Sequence, residues 1–385
     1  MKKLSYEYDY DVPAYFAISK YCNIDCSYCY LPDDHKNQKA DVDEQALSAV
    51  HAFIDKAVNE RFALSSCYLH GAEPTTLSPE AMREAIESLL TVTLNNRISV
   101  QTNGVALNKS YLTRLGEMQD KVAFGYSVDL PPAAHNKNRS KTYSKVVENI
   151  GIAKDMGYST RLLVCINQDT MEDLEAVKAE IEMYHKNFPA MTIAFKHIKG
   201  DQVLSEEQKV QWADFLADNG WHDYDHSIWG TICNSQGNNC WWFEFCSDGG
   251  VTACNKSYSD AGKFADWHEE PMTQIMDKRR TLYQNHSVPK MCFGCRYWRM
   301  CRGGCPVDRS PDWENITDDA GLSVSRPTVT TLDCAIKQRI WARMEAGGFD
   351  PMKVSSVTPQ FIRQKAYNNW KSQGERFGFL ENDDD

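Results

Sequence analysis

Short apolar runs that favour β-strands alternate with segments of helical period along roughly the first 220 residues of the chain. Strands are predicted at residues 14–21, 64–70, 96–101, 122–129, 160–166 and 191–197. Between the first two strands, apolar side chains recur at three- and four-residue steps, as at Leu47, Val50 and Ile54, which indicates one buried helical face. This alternation is typical of a parallel sheet wrapped by helices. We therefore predict the α/β class, with six βα units that form a partial (β/α)6 barrel.

A different pattern begins near residue 230, where turn residues, glycine pairs and closely spaced cysteines replace the alternation. A loop-rich region buries few apolar side chains, so cysteines that bind metal are the obvious candidates to hold it together. The predicted parts of the chain are an N-terminal segment at 1–13, the barrel at 14–230, a cysteine-rich domain at 231–345 and a C-terminal segment at 346–385. The last of these contains one predicted helix, beginning at Thr358-Pro359, and ends in the acidic sequence ENDDD.

The composition narrows the compartment and the partners. Of 385 residues, 42% are hydrophobic, and the formal charge of −11 comes without a cluster of Lys and Arg. That balance argues against a nucleic acid or an anionic membrane as the main partner and favours a small molecule or a peptide. The sequence shows neither a signal peptide nor a long apolar run, so we expect a soluble, cytoplasmic protein. In that reducing compartment, most of the 14 cysteines are expected to bind metal or iron–sulfur clusters.

Three cysteines follow the first predicted strand directly. The stretch CNIDCSYC places Cys22, Cys26 and Cys29 at the carboxyl end of a barrel strand, where the active sites of α/β barrels gather. Three thiolates can hold three irons of a cuboidal 4Fe-4S cluster and leave the fourth iron free for a ligand that is not protein. The alternative is a zinc site that a distant His or Cys completes, since soft thiolates suit both metals.

The C-x3-C-x2-C spacing, with the aromatic Tyr28 before the last cysteine, resembles that of the radical S-adenosylmethionine (radical SAM) enzymes. The resemblance implies a TIM-like partial barrel whose open cluster iron chelates the amino and carboxylate groups of S-adenosylmethionine. It further implies that one electron cleaves this cofactor to a 5'-deoxyadenosyl radical. The electron would come from an external donor such as flavodoxin or ferredoxin.

Other segments at successive strand ends match the same family. HGAEPT at 70–75 resembles the family's Gly-Gly-Glu-Pro segment, with Ala72 in place of the second glycine. QTNG at 101–104 and SVD at 127–129 follow the third and fourth strands in the expected order. The resemblance assigns cofactor contacts to Tyr28, Gly71, Ala72, Glu73, Ser127, Arg139 and Ile166.

Most of these contacts have an implied role. By the resemblance, the backbone of Gly71 and Ala72 serves the methionyl part of the cofactor, Glu73 its ammonium, Ser127 its ribose or carboxylate, Arg139 its carboxylate and Ile166 its adenine. The alternative for Arg139 is a solvated surface charge. Cys67 and Cys165 lie inside predicted strands, so we expect them to be buried small hydrophobic residues rather than ligands.

The cysteine-rich domain resembles the SPASM extension of radical enzymes that modify peptides and proteins. CFGCRYWRMCRGGC at 292–305 carries the resemblance, together with GGVTAC, which ends at Cys254. The resemblance implies two auxiliary 4Fe-4S clusters, one held by Cys292, Cys295, Cys301 and Cys334 and the other by Cys233, Cys240, Cys254 and Cys305. Cys246 competes with Cys233, which we prefer because Cys246 stands in a short strand-like run. The alternative is a zinc ribbon, with CxxC pairs bound tetrahedrally.

The substrate class follows from departures within this family. The anaerobic sulfatase maturases oxidise a Ser or Cys of a sulfatase to formylglycine, but this chain has His70, Leu31 and Asn255 where they carry a glutamine, a tyrosine and a proton-accepting aspartate. We therefore predict a maturase of ribosomally made precursor peptides that forms a carbon–carbon or thioether cross-link. The alternatives are formylglycine formation, peptide epimerisation and, more remotely, a non-catalytic iron–sulfur redox protein.

His70 is the candidate catalytic residue. It stands at the end of a predicted strand beside the expected cofactor, where an imidazole can contact the peptide or transfer a proton. The alternative is a neutral histidine that is hydrogen-bonded within the fold.

Overall fold

The computed structural model describes residues 4–29, 31, 41–198, 202–221, 242–253, 262–282, 292, 294–297, 313–317, 323–327 and 334–348. All six predicted strands are present, and the prediction of an α/β fold is confirmed. They are β1 (Tyr10–Ser19), β2 (Phe62–Gly71), β3 (Ile98–Thr102), β4 (Val122–Asp129), β5 (Ser159–Ile166) and β6 (Thr192–His197). They lie in the order β6-β5-β4-β3-β2-β1, with every pair of neighbours parallel. Their carboxyl ends therefore meet at one edge of the sheet.

Three further strands extend this sheet beyond β1. Strand β7 (Phe243–Cys246) pairs parallel to β1, and β8 (Gly250–Thr252) and β9 (Ala265–Asp266) continue antiparallel. Among the described residues, those within Met1–Val203 and Trp241–Arg279 form one compact unit, and those within Leu204–Cys240 and Arg280–Asp385 form another. The strand-like run at Cys246 is thus a real strand, although it pairs with the barrel. The predicted domain boundary at residue 230 follows sequence motifs and stays a prediction.

Helices connect the parallel strands. In chain order they are α1 (Val42–Asn59), α2 (Pro79–Val92), α3 (Lys109–Leu115), α4 (Pro132–Asn138), α5 (Tyr143–Asp155) and α6 (Leu174–Asn187), with 3-10 turns at Pro74–Thr76 and Gln168–Glu172. Helix α2 begins as its sequence predicts, because the Ser78 side chain accepts a hydrogen bond from Ala81 N at 3.2 Å. Its stripe of Met82, Ala85, Ile86 and Leu89 is fully buried. The amphipathic pattern therefore packs α2 against the sheet.

The two faces of the sheet differ in chemistry. On the helix-covered face, Phe16 of β1 packs edge-on against Phe53 of α1, with ring centroids 5.4 Å apart, and Phe53 also contacts Phe245. Side chains alternate along a strand, so the opposite face of β1 and β2 carries Tyr15 and His70, whose rings are 5.2 Å apart. We call this opposite side the inner face. It is where the polar side chains of the candidate site gather.

The second compact unit contains helix α7 (Glu206–Asp218) and helix α9 (Cys334–Ala346), while helix α8 (Met272–Thr281) straddles the boundary between the units. Arg339 of α9 donates to Asp214 of α7 at 2.7 Å. Strands β10 (Trp313–Thr317) and β11 (Ser323–Pro327) form an antiparallel pair. The helix predicted after Thr358 lies outside the described residues. Of the helices described, none has both the length and the apolar character needed to span a membrane.

Candidate active site

The three predicted cluster cysteines stand in the loop after β1, at Cys22, Cys26 and Cys29. Two kinds of backbone contact bind this loop to the end of α4. Cys26 pairs with Arg139 as an isolated antiparallel bridge, and Ser27 N donates to Asn138 O at 3.0 Å. The contacts span more than 110 residues of sequence. The fold therefore presents the three cysteines at the carboxyl edge of the sheet, as predicted.

The three thiols are close enough to influence one another's charge. Burial raises the pKa of the Cys22 thiol to about 11 and that of Cys26 to about 12, and neighbouring Cys29 adds to both shifts. Within the described residues, no group of three or more His, Cys, Asp or Glu converges to hold a single metal ion. A cuboidal cluster binds each thiolate at a separate iron, so its thiols need not converge. The roles of Cys22, Cys26 and Cys29 as cluster ligands, and the zinc alternative, stay predictions.

The Gly71-Ala72 backbone lies directly against the beginning of the cluster loop. Gly71 has φ +120°, and a Cβ there would stand 2.6 Å from the backbone oxygen of Ser19. Ala72 N donates to that same oxygen at 3.1 Å. A side chain at position 71 would both strain the backbone and push the loop away. Glycine is thus required at this position for the close approach that the sequence predicted.

The Glu73 carboxylate is buried, with 1% of the residue exposed, and is held by four donors. It accepts from Thr75 N at 2.9 Å, Thr75 Oγ1 at 2.6 Å, Thr102 Oγ1 at 2.6 Å and Asn103 N at 2.6 Å. Burial raises the pKa of this carboxyl, and the four hydrogen bonds oppose the shift. Glu73 therefore joins the carboxyl ends of β2 and β3, and a cofactor ammonium would share the carboxylate with these donors.

Arg139 is buried, which corrects the solvated alternative. Its Nε donates to Asp129 Oδ1 at 2.7 Å and to the hydroxyl of Tyr28 at 2.9 Å, and its Nη2 lies 3.2 Å from Cys165 Sγ. Cys26 and Asp129 are among the charges that help to raise the pKa of Arg139, against the opposing effect of burial. Arg139 therefore stands beside Cys26, and its contact with a cofactor carboxylate stays a prediction. Any such carboxylate would share Arg139 with Asp129.

The other predicted cofactor contacts lie on β4 and β5. Ser127 is half-buried and accepts from Gln101 Nε2 at 2.8 Å, so QTNG and SVD meet as the sequence order suggested. Ile166 is fully buried in β5, and its backbone oxygen accepts from Ile198 N at 3.2 Å. Cys67 and Cys165 are buried in strands, as predicted. The assigned roles of Ser127 and Ile166 stay predictions.

His70 lies on the inner face and contacts a residue that the sequence reasoning missed. Its Nε2 is 2.8 Å from Oε1 of Glu244 in β7, and the two side chains are 7% and 0% exposed. The other carboxylate oxygen, Oε2, accepts from Thr252 Oγ1 at 2.9 Å. The run WWFEFC offered a signal, since an ionisable residue between buried phenylalanines is unusual unless it is paired. His70 thus contacts an ionisable residue within the fold, and its catalytic role stays a prediction.

The described part of the second domain includes three of its predicted ligands. Cys292, Cys295 and Cys334 are half-buried, and Cys295 N donates to Cys292 O at 3.2 Å. Cys246, the competing candidate, is buried in β7. Cys233, Cys240, Cys254, Cys301, Cys305 and Asn255 lie outside the described residues. Leu31 is 9% exposed and brings no hydroxyl to the site.

Sequence comparison relates the chain to one protein family and to several named proteins. Residues 16–181 match the model of the Radical SAM superfamily. The chain is 22% identical to a cysteine-type anaerobic sulfatase-maturating enzyme of Clostridium novyi over 337 residues, which covers 78% of this chain and 89% of that protein. A cysteine-type enzyme of the same name from Clostridium perfringens is also 22% identical, over 74% of this chain and 85% of its own length.

Solved structures share the fold at low sequence identity. Native anSMEcpe with bound AdoMet superposes with a TM-score of 0.66 at 19% identity, covering 88% of this chain and 98% of that chain. Streptococcus suis SuiB bound to S-adenosylmethionine gives a TM-score of 0.56 at 12% identity, covering 77% and 73%. The strand order and the position of the three-cysteine loop are consistent with the fold that these comparisons indicate.

Proposed function

Residues 16–181 form a radical SAM domain, and from this premise we propose that the protein oxidises a ribosomally made precursor peptide and cross-links it through a carbon–carbon or thioether bond. The protein is an enzyme that acts by radical chemistry. The observation that carries the proposal is the loop of Cys22, Cys26 and Cys29, held at the carboxyl edge of the sheet beside the Gly71-Ala72 backbone. When bound there, the cluster and S-adenosylmethionine supply a radical that abstracts hydrogen.

The residues of this chain divide the work of binding. Cys22, Cys26 and Cys29 would hold the 4Fe-4S cluster through three irons. The backbone at Gly71 and Ala72 approaches the cluster loop closely, so a cofactor bound to the open iron would lie along it. Arg139 would offer its guanidinium to the cofactor carboxylate. Two auxiliary clusters, held by the cysteines of the second domain, are part of the same proposal and would accept the electron that an oxidation releases.

Three findings support a peptide as the substrate. A solved structure of native anSMEcpe holds a peptide named Kp18Cys, and it matches this chain with a TM-score of 0.66. SuiB has been solved with its precursor peptide SuiA, with a TM-score of 0.55. The inner face adds the third, because it places His70 and the aromatic Tyr15 together beside the predicted cofactor segment. An aromatic ring beside a polar group suits contact with a side chain of a peptide.

Formylglycine formation is the second candidate, because the curated relatives carry that activity in their name and match most of this chain. Two described positions weigh against it. Leu31 brings no hydroxyl where the maturases have a tyrosine, and His70 pairs with Glu244 where they have a glutamine. These differences change the groups that surround a substrate, so we favour the cross-link.

Mass spectrometry of the peptide separates the candidates. The reduced, anaerobic enzyme is incubated with S-adenosylmethionine and with candidate precursor peptides taken from short reading frames beside its gene, and a sulfatase-derived cysteine peptide serves as the comparison. A cross-link removes two hydrogens and lowers the mass by about 2 Da, with 5'-deoxyadenosine as the second product. Tandem spectra should lack backbone fragments between the joined residues.

Other outcomes would replace the proposal. Loss of sulfur from the sulfatase peptide would establish formylglycine formation. An unchanged mass accompanied by a D-residue would establish epimerisation. Reduced protein that leaves S-adenosylmethionine intact with every peptide would point to a non-catalytic iron–sulfur protein.

A further inference from the structure

The buried contact between His70 and Glu244 joins two strands that are far apart in sequence. His70 stands near the carboxyl end of β2, three residues before Glu73, and Glu244 stands in β7 on the other side of β1. Nε2 and Oε1 are 2.8 Å apart, but the ring N–H does not yet point at the oxygen, so neither atom has an aligned hydrogen bond. The terminal torsion of a histidine is soft, and a small rotation of the ring aligns them.

The surroundings of this contact are aromatic. Tyr15 meets the His70 ring edge-on at 5.2 Å, and Trp242 packs on Tyr15 at 4.8 Å. Trp242 is 5% exposed, and its indole Nε1 has no hydrogen-bond partner among the described residues. Buried polar atoms nearly always have a partner, and those that lack one often mark a functional site. Three neighbouring side chains, His70, Glu244 and Trp242, thus carry polar atoms that lack an aligned partner in the part of the chain that the structure describes.

The carboxylate of Glu244 does more than fill space in the core. A glutamine would occupy the same volume and would still accept from Thr252 Oγ1 through its amide oxygen. What the carboxylate adds is a second oxygen, 2.8 Å from Nε2, where the side chain of glutamine would place an NH2 group. An ionised carboxylate only accepts hydrogen bonds, so it favours a proton on the facing Nε2 and leaves Nδ1 as the acceptor.

We propose that Glu244 is a positioning residue that holds His70 with its proton on Nε2, so that Nδ1 takes the proton released when the peptide is oxidised. This inference rests on the proposed function. The Glu244 side chain is 0% exposed and that of His70 is 7% exposed, so of the two only His70 has surface that a peptide could contact. His70 is the catalytic residue of the pair.

The oxidation balances with this assignment. As the new bond forms, the peptide loses one hydrogen atom from carbon to the S-adenosylmethionine-derived radical and one proton, from the second joined atom, to His70 Nδ1. It also loses one electron to an oxidised iron–sulfur cluster. One C–H and one X–H bond break, with X a carbon or sulfur atom, and one C–X bond forms.

The first test observes the histidine itself. Long-range proton–nitrogen NMR of histidine-labelled, oxidised holoenzyme distinguishes the two neutral tautomers and the imidazolium, and the His70→Gln protein assigns the signal among the 10 histidines. We expect the neutral tautomer with its proton on Nε2 in the native protein and a changed nitrogen pattern in Glu244→Gln. A proton on Nδ1 in the native protein, in the other tautomer or in the imidazolium, overturns the proposal. This reading needs no peptide, so it stands or falls separately from the proposed function.

The second test measures coupling, defined as modified peptide formed per 5'-deoxyadenosine. Glu244→Gln should lower coupling about 10- to 100-fold, by analogy with the loss seen when a carboxylate that orients a metal-bound histidine is removed, and Glu244→Asp should recover part of it. Glu270→Gln, which removes a partly buried carboxylate of the same segment, is the matched control. Iron content and circular dichroism identify a variant that has failed to fold. Native coupling in folded Glu244→Gln overturns the proposal, whereas native enzyme that modifies no peptide overturns the proposed function instead.

Discussion

Arg139 and Asp129 form an ion pair that is almost wholly removed from solvent, with Nε 2.7 Å from Oδ1 and side chains that are 7% and 0% exposed. Asp129 also accepts from Asn167 Nδ2 at 3.1 Å and from the Tyr28 hydroxyl. The pair joins the end of β4 to the segment after α4, which in turn bridges to Cys26. The first prediction follows from this burial.

Replacing Arg139 by Met should destabilise the protein strongly. The change leaves the Asp129 carboxylate buried without its cation, and such losses cost about 3–5 kcal/mol of unfolding free energy. Anaerobic urea denaturation of the holoenzyme measures the difference. The matched control is Arg114→Met, because Arg114 pairs with Glu80 at 2.7 Å while both side chains are more than half exposed. That control should lose less than about 1 kcal/mol. Equal losses in the two variants would contradict the structural role given to Arg139.

Gly71 should not tolerate alanine. The substitution places a Cβ 2.6 Å from the oxygen of Ser19 at a φ of +120°, so the backbone must shift at a cost of about 1–3 kcal/mol. Because Ser19 begins the cluster loop, iron content should fall as well. Gly151 of α5 is the control, since nothing lies within 4 Å of a Cβ built there. Gly151→Ala should stabilise the helix by about 0.5–1 kcal/mol. A Gly71→Ala protein with native stability and iron would refute the close approach.

Local pattern was sufficient to predict the six parallel strands and the cysteine loop. Apolar runs of the right length identify the strands. Cys22, Cys26 and Cys29 lie within eight residues of sequence, so no tertiary contact is needed to group them. The place of β7 was not predictable in this way. A four-residue run can pair with any exposed edge, and only the folded chain shows that Phe243–Cys246 pairs with β1.

The polar partners of Arg139 and His70 were also not predictable from the sequence. Arg139 and His70 were singled out by position in a motif, but a charged residue has many candidate partners and the sequence does not choose among them. Asp129 is 10 residues from Arg139 along the chain, whereas Glu244 reaches His70 from a strand on the far side of β1. Both side chains are buried, and a buried ionisable group is costly unless it has a polar partner, so the fold determines which partner each one meets.

His135 should make stability depend on pH. It is fully buried, its Nδ1 accepts from Asp129 N at 3.2 Å, and burial, assisted by Arg139, lowers its pKa from 6.5 to about 3. As the pH falls below 6.5, His135 therefore binds a proton in the unfolded chain but stays neutral in the folded chain. Unfolding free energy should drop by about 1.4 kcal/mol for each pH unit from this group until about pH 3.

Urea denaturation at pH 7 and pH 5 tests this slope. The His135→Gln protein should lose less stability over that interval than the native protein does. Tyr143→Phe is the control, because it changes the ring that packs on His135 at 5.4 Å but keeps the imidazole. Its slope should match the native one. Identical slopes in native and His135→Gln protein would show that His135 does not titrate as described.

Iron analysis tests the assignment of the clusters. With three 4Fe-4S clusters, the anaerobically reconstituted chain should hold roughly 12 irons. Replacing Cys22, Cys26 and Cys29 together by Ala should remove about one third of that iron and all cleavage of S-adenosylmethionine. Cys67→Ala is the control, since Cys67 is buried in β2 away from the loop, and it should keep the full iron content. Formation of 5'-deoxyadenosine by the triple variant would show that the loop does not hold the active cluster.

The fate of hydrogen from the peptide tests the central claim most directly. The reduced enzyme is given S-adenosylmethionine and a perdeuterated form of the peptide that it modifies, and the 5'-deoxyadenosine is analysed by mass spectrometry. Direct abstraction predicts one deuterium in each 5'-deoxyadenosine formed with the modified peptide, and none when the peptide is unlabelled. Modified peptide that accumulates while 5'-deoxyadenosine stays unlabelled would contradict the claim that this site removes a hydrogen atom from a peptide.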